Sequence, residues 1–262
     1  MMHALVLLSA ALQNPDFEYL YREALAIRER QLGNEHPKVA ASLIDLALYL
    51  KGRGDTAEPR QLLRRAVAVY EKTNAAQVAV ALEHLAELLQ PSEAEPLLRR
   101  ALASSPDRPH LLLKLADLLE RRGKLDEAES LYRRALARQE STMAETDPAI
   151  AATCNNLGLI IEGRGQPAEA GVLFSRAVSI YERAYGRRHP EYATALTNLA
   201  GTLRARGDAA SAVPLLEQAH TVLESTLGPD HAHTRQACTS LASALAEAGD
   251  RAAAGAIQRR CR

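Results

Sequence analysis

Residues 121–136 read RRGKLDEAESLYRRAL, and the chain repeats much of this stretch elsewhere. EAESLYRRAL at 127–136 returns as EAEPLLRRAL at 93–102 and as EPRQLLRRAV at 58–67. Gly123 is followed by Gly165, Gly207 and Gly249, each 42 residues on. Extending the alignment backwards gives equivalent landmarks at Leu12, Gly54, Leu89, Gly123, Gly165, Gly207 and Gly249, separated by 42, 35, 34, 42, 42 and 42 residues. Self-similarity at such a period marks supersecondary units that cannot bury their apolar faces alone.

Each unit reads as two helices around a turn. LGNEHPKVAASLIDLA at 32–47 and YGRRHPEYATALTNLA at 185–200 open the first helix of their units. Pro190 falls in the first turn, where its missing N–H costs nothing. Leu196, Leu199, Ala200 and Leu203 then recur at helical spacing. Gly207 stands where left-handed backbone ends that helix, and a second helix follows with Ala212, Leu216 and Ala219 on its inner face. Asp147-Pro148 replaces His-Pro in one unit, Asp being a good N-cap. Ser105-Pro106 is expected to act the same way in the unit before it.

Small residues recur where helices must cross closely. One such position holds Ala47, Ala86, Ala116, Gly158, Ala200 and Ala242, another Ala94, Ala128, Ala170, Ala212 and Ala254, and a third Ala66, Ala101, Ala135, Ala177 and Ala219. A Leu at any of them would overpack the contact, at roughly 1–3 kcal/mol.

The pattern resembles the tetratricopeptide repeat. Leu112, Leu115, Ala116, Leu119, Gly123, Ala128, Tyr132 and Ala135 carry the signature in one unit, and the 42-residue spacing with LGxxHPxxA between hairpins resembles the kinesin light chain type. The resemblance spans the chain as a single array of seven units, 1–31, 32–73, 74–105, 106–143, 144–185, 186–227 and 228–262, the last a polar C-terminal cap. It implies an all-α solenoid, a right-handed superhelix whose first helices line a concave groove that holds an extended peptide or a partner helix. The family's first-helix aromatic is replaced by Leu43, Leu82, Leu112, Cys154, Leu196 and Cys238. The turns of the first and third units are about four residues shorter than the others.

Aligned first helices place Asp45, His84, Lys114, Asn156, Asn198 and Ser240 at one groove position, with Asn155 beside Asn156 and with Lys51 and Arg204 a turn further on. These nine residues form the candidate peptide-binding site. An amide both donates and accepts, so Asn can read a peptide backbone without demanding a sequence. In kinesin light chain relatives Asn at this position lines the cargo groove, a role the resemblance carries to Asn156 and Asn198.

Composition narrows the alternatives. Of 262 residues, 47% are hydrophobic, yet there is no Trp and only two Phe, so Leu and Ala must supply the core. Lys plus Arg equals Asp plus Glu at 32 each, which gives no global field toward nucleic acid or a membrane. The Arg pairs 64–65, 99–100 and 133–134 read as solvated faces interleaved with Glu. His36, His189 and His231 lie whole repeats apart and cannot converge on one metal ion, whose ligands sit about 2 Å away. No catalytic, phosphate-binding or cofactor fingerprint is present, so neither a catalytic residue nor a cofactor is expected. Three cysteines without CxxC suggest a reducing, cytoplasmic compartment. Cys154 and Cys238 are expected to be buried, inert thiols two repeats apart that cannot meet each other; Cys261, near the end, has nothing nearby to lower its pKa. ALVLLSAAL at 4–12 lacks a basic flank and is too short to span a bilayer; it fits the first repeat. The expected function is a non-catalytic scaffold gripping a protein or peptide segment, with no nucleic-acid or membrane partner. The alternative is a self-associating, homo-oligomeric module, served by apolar groove residues such as Leu113 and Leu159.

Overall fold

The computed structural model describes residues 15–73 and 75–261, which form thirteen helices and no strand. The stretch at 4–12 and the landmark Leu12 lie outside the described residues. The chain divides into two compact units between Lys124 and Leu125. The first holds α1 (Pro15–Leu32), α2 (Pro37–Gly52), α3 (Ala57–Thr73), α4 (Ala75–Ala86), α5 (Pro91–Ser104) and α6 (Pro109–Arg121). The second holds α7 (Leu125–Thr142), α8 (Pro148–Gly163), α9 (Pro167–Tyr185), α10 (Pro190–Ala205), α11 (Ala209–Leu227), α12 (Ala232–Glu247) and α13 (Arg251–Arg260).

Within each unit every helix packs on its sequence neighbours, and in the second unit α10 also touches α8 and α12. This is all-α solenoid packing of consecutive helix pairs. The turn glycines explain the sharp reversals: Gly123, Gly165, Gly207 and Gly249 all have positive φ, as does Gly54, a conformation open to Gly without a Cβ penalty. His36, Asp147 and His231 cap their helices by accepting a backbone N–H two residues on, at 3.2, 2.9 and 3.2 Å.

One cap differs from expectation. Ser105 is the C-cap of α5, and α6 begins instead at Pro109 with Arg108 as its N-cap. Both dipeptides end in Pro, but only the second lies next to the apolar period Leu111, Leu112, Leu115, so burial chose the later start.

The core is Leu and Ala. All the small positions named above are buried, and Leu43, Leu82, Leu112, Cys154, Leu196 and Cys238 are nearly inaccessible. A buried Leu contributes roughly 1.5–3 kcal/mol. Gly158 shows why bulk is excluded: a Cβ there would lie 2.7 Å from the ring of Phe174, which is fully buried. Here the large residue sits across the crossing, so even Ala does not fit.

The second helices are laced by ion pairs one repeat apart, among them Arg22–Glu58 at 2.7 Å, Arg65–Glu29 at 2.6 Å and Arg133–Glu169 at 2.7 Å. Exposed pairs of this kind contribute about 0–1 kcal/mol each. The Arg stripe is thus matched by Glu, as the sequence suggested for a solvated face.

The cysteines require a correction. Cys154 is buried, and burial pushes its thiol up to about 11, so it is an inert core residue as expected. Cys238 shares its repeat position but is bonded to Cys261 in a disulfide. The linear pattern hid this pairing because α13, ten residues long, folds back on α12 and carries Cys261, just past its end, to Cys238 near the middle of that helix. The burial of Cys238 is as expected, but the expectation that it is an unpaired thiol, with no disulfide in the chain, is overturned.

Candidate ligand-binding groove

In the first unit the candidate residues sit on α2, α4 and α6, and charge brings most of them together. Lys51 Nζ lies 2.5 Å from Glu87 Oε2, immediately beyond α4. Lys114 reaches Glu83 Oε1 at 2.6 Å and also pairs with Glu87. His110 Nε2 lies 2.7 Å from the other Glu83 oxygen. His84 Nδ1 is 3.6 Å from Glu87, longer than a good hydrogen bond. Glu87 is held far below the ordinary carboxylate range, by His84 first, then by Lys114 and Lys51 against the cost of desolvation. Burial works to raise Glu83, but hydrogen bonds from Lys114 and His110 outweigh it and lower the carboxyl. Burial likewise opposes the Lys114 ammonium, and Glu83 and Glu87 overcome it. Asp45 stays outside this cluster; desolvation raises its carboxyl against the charge of Arg28.

A cavity of about 220 Å³ opens beside the cluster, with Ala86, Pro91, Ala94, Leu98 and Leu118 among its lining residues. It lies where α4, at 12 residues, stops a turn short of the 16-residue length of α2.

In the second unit the candidates sit on α8, α10 and α12 and are linked by hydrogen bonds rather than a charge cluster. Asn198 Nδ2 donates to Asn155 Oδ1 at 2.8 Å. Asn198 is 7% exposed, and Asn155 and Asn156 are half-buried. Asn198 therefore meets Asn155, the neighbour of the residue one full repeat behind it. Arg204 makes a bidentate pair with Glu247 at 2.6 and 2.9 Å. The hydroxyls of Thr197, Thr239 and Ser243 donate to carbonyls of their own helices. Ser240 lies half-buried on α12.

The structure thus gathers Lys51, His84 and Lys114 in one unit, and Asn155 with Asn198 in the other. Glu83 and Glu87 are legible in the sequence as groove acids answering Lys51 and Lys114 but stand outside the candidate set that they anchor, while sequence reasoning missed His110 as a partner and Glu247 as the partner of Arg204. A signal existed: Lys51 to Glu87, Glu87 to Lys114 and Arg204 to Glu247 are each one repeat step, give or take the variable turn. Among the described residues no group of three or more His, Cys, Asp or Glu could hold a metal ion, and no helix is long and apolar enough to cross a membrane.

A tetratricopeptide repeat profile matches residues 18–72, 107–170, 149–225 and 198–262. Solved structures of similar fold include BtubC (BKLC) from P. vanneervenii, at 24% identity and a TM-score of 0.66 over 79% of this chain and 86% of that one. YrrB, described as a tetratricopeptide repeat protein with an unusual peptide-binding site, aligns at 18% identity and a TM-score of 0.59 over 80% of this chain and 95% of that one. PilW, a type IV pilus biogenesis factor, aligns at 19% identity and a TM-score of 0.63 over 85% and 91%. No curated protein matches this sequence. The chain belongs to the tetratricopeptide repeat family, a class of helical scaffolds that generally mediate protein–protein interaction.

Proposed function

We propose that this protein is a non-catalytic adaptor, one continuous array that holds a short extended segment of a partner protein against the first-helix face of its second unit. The observation that carries this reading is the bond between Asn198 and Asn155. It fixes one amide and leaves the remaining N–H and C=O capacity of the pair to meet a peptide backbone. Polar groups locked in place before binding spare the ligand part of the ordering cost. An affinity near micromolar, about −8 kcal/mol, suits a segment that orders on binding. Neither a cofactor nor a nucleic-acid or membrane partner enters this reading.

The test is capture of immobilised random decapeptides by the wild-type chain and by Asn156→Ala/Asn198→Ala, with Asn156→Ala alone as a variant that spares the buried amide. Both variants are checked for native helicity by circular dichroism. Loss of most captured peptides in the double variant is expected. Retention of all of them at unchanged strength overturns the assignment of the amides.

Self-association is the second reading, and one observation favours it: α1 exposes Phe17, Tyr19 and Leu20, with Tyr19 at 64%. Exposed apolar patches of this kind mark contact surfaces. Light scattering over a dilution series decides it, since a monomer at every concentration eliminates this reading. For the compartment, the cytoplasmic reading is opposed by the Cys238–Cys261 bond, because disulfides persist chiefly in oxidising surroundings. Trapping free thiols in intact cells separates the two.

A further inference from the structure

The acids of the first-helix face are nearly all answered. Glu83 has Lys114 and His110, Glu87 has Lys51 and Lys114, and Glu247 has Arg204. Glu162, in the last turn of α8, forms no ion pair and its carboxylate takes no hydrogen bond among the described residues; Asp45 on α2 is likewise without a direct partner, but it feels the charge of Arg28, whereas no cation acts on Glu162. The nearest basic position on the next first helix is Arg204, and both of its donating edges are committed to Glu247 on the far side.

Two further features keep this carboxylate available. Gly201 on α10 faces it, and a Cβ at that position would lie 3.2 Å from Glu162 Oε1. Any side chain there would cover the oxygen that Gly leaves open. Leu159, three residues earlier on the same helical face, is 40% exposed and offers an apolar surface beside the charge. A long basic side chain matches that pair of features, because its methylene stem prefers apolar surface while its head seeks a carboxylate.

We infer that Glu162, with Leu159 and Gly201, is a subsite for a lysine or arginine side chain of the bound segment. This rests on the proposed peptide-binding role of the second unit and adds to it the charge of one ligand residue. In support, burial raises the Glu162 carboxyl with no cation to oppose the shift, as expected for a group whose counter-charge arrives with a ligand.

The experiment uses a positional-scanning library of decapeptides, N-acetylated so that no terminal amine competes, captured by the wild type, Glu162→Gln, Glu162→Lys and Gly201→Ala. The wild type is expected to enrich Arg or Lys about tenfold at one register position, equivalent to ~1.4 kcal/mol. Glu162→Gln should bring that position to background and Glu162→Lys should turn it toward Asp or Glu. Gly201→Ala, which changes no charge, should weaken the preference severalfold. Wild-type capture without basic enrichment, or enrichment that survives Glu162→Gln, overturns the subsite. The groove reading fails separately if Asn156→Ala/Asn198→Ala retains every peptide, and both fail if the wild type captures none.

Discussion

The two units build the same face from the same helix position and furnish it differently. In the first, Lys51, Glu87, Lys114 and Glu83 satisfy one another across α2, α4 and α6. In the second, Asn198 meets Asn155, Arg204 is drawn away by Glu247, and Glu162 is left alone. A charge already answered within the protein has little left to offer a ligand, because a new partner must first displace the old one. A fixed amide and an unanswered carboxylate have capacity to spare. The scaffold repeats, but the reactive part of its surface is set by which residues happen to lie one repeat apart.

The largest expected effect comes from breaking the first face. Lys114→Met removes the cation shared by buried Glu83 and the more exposed Glu87 and should destabilise the protein by about 3 kcal/mol at pH 7, the low end for removing the partner of a buried charge. The sign with pH follows from the carboxyl shifts. Both groups sit below their ordinary value in the folded chain, so the stability they contribute is present above about pH 4.3 and is lost as pH falls through the lower folded values. The gap between wild type and variant, measured by urea unfolding, should therefore narrow in acid.

The second unit has no comparable charge cluster among the described residues of its first-helix face, its Arg133, Glu129, Arg164 and Glu169 network lying elsewhere, but it is closed covalently at its end. Cys261→Ser frees α13, of which little beyond Ala254 is buried, and should lower stability by about 3 kcal/mol for a loop of this length. Hydrogen exchange should show the loss concentrated in α12 and α13, and a reducing agent should reproduce it in the wild type.

Gly158→Ala tests the packing beneath the second face. It should cost about 1–3 kcal/mol by forcing the Phe174 ring aside, despite the better helix propensity of Ala. Adding Phe174→Leu should recover part of the loss in thermal melts.

The smallest effect sharpens the comparison most. Glu162 has a raised folded value, so it favours the folded chain at low pH and that advantage is lost as pH rises through the folded value. Glu162→Gln is accordingly expected to stabilise the protein at pH 7, by about 0.5 kcal/mol or less for a half-exposed group. Side-chain NMR titration should find Glu162 ionising above the ordinary carboxylate range and Glu87 well below it.

Much of this was legible in the residues. The recurrence of Gly54, Gly123, Gly165, Gly207 and Gly249 located the turns, and each proved left-handed. The apolar period located the buried faces, and the small positions proved buried as read. Less visible were the partners. Asn156 and Asn198 align as equivalent groove positions one repeat apart, but that alignment does not show that the Asn198 side chain donates to Asn155. Arg108-Pro109 opens α6 although Ser105-Pro106 has the better cap, because a cap is worth about 1 kcal/mol and the burial of Leu111, Leu112 and Leu115 is worth several times more.

By itself the sequence determined the repeat, its two-helix content and the residues presented on the first-helix face, since these depend on local propensity and on a period that a linear chain displays. Tertiary structure decided which of those residues are already spoken for: the cluster around Glu87, the isolation of Glu162 and the union of Cys238 with Cys261. Those depend on distances between side chains 23 to 43 positions apart, where a shift of one helical residue turns a side chain by about 100° and exchanges one partner for another.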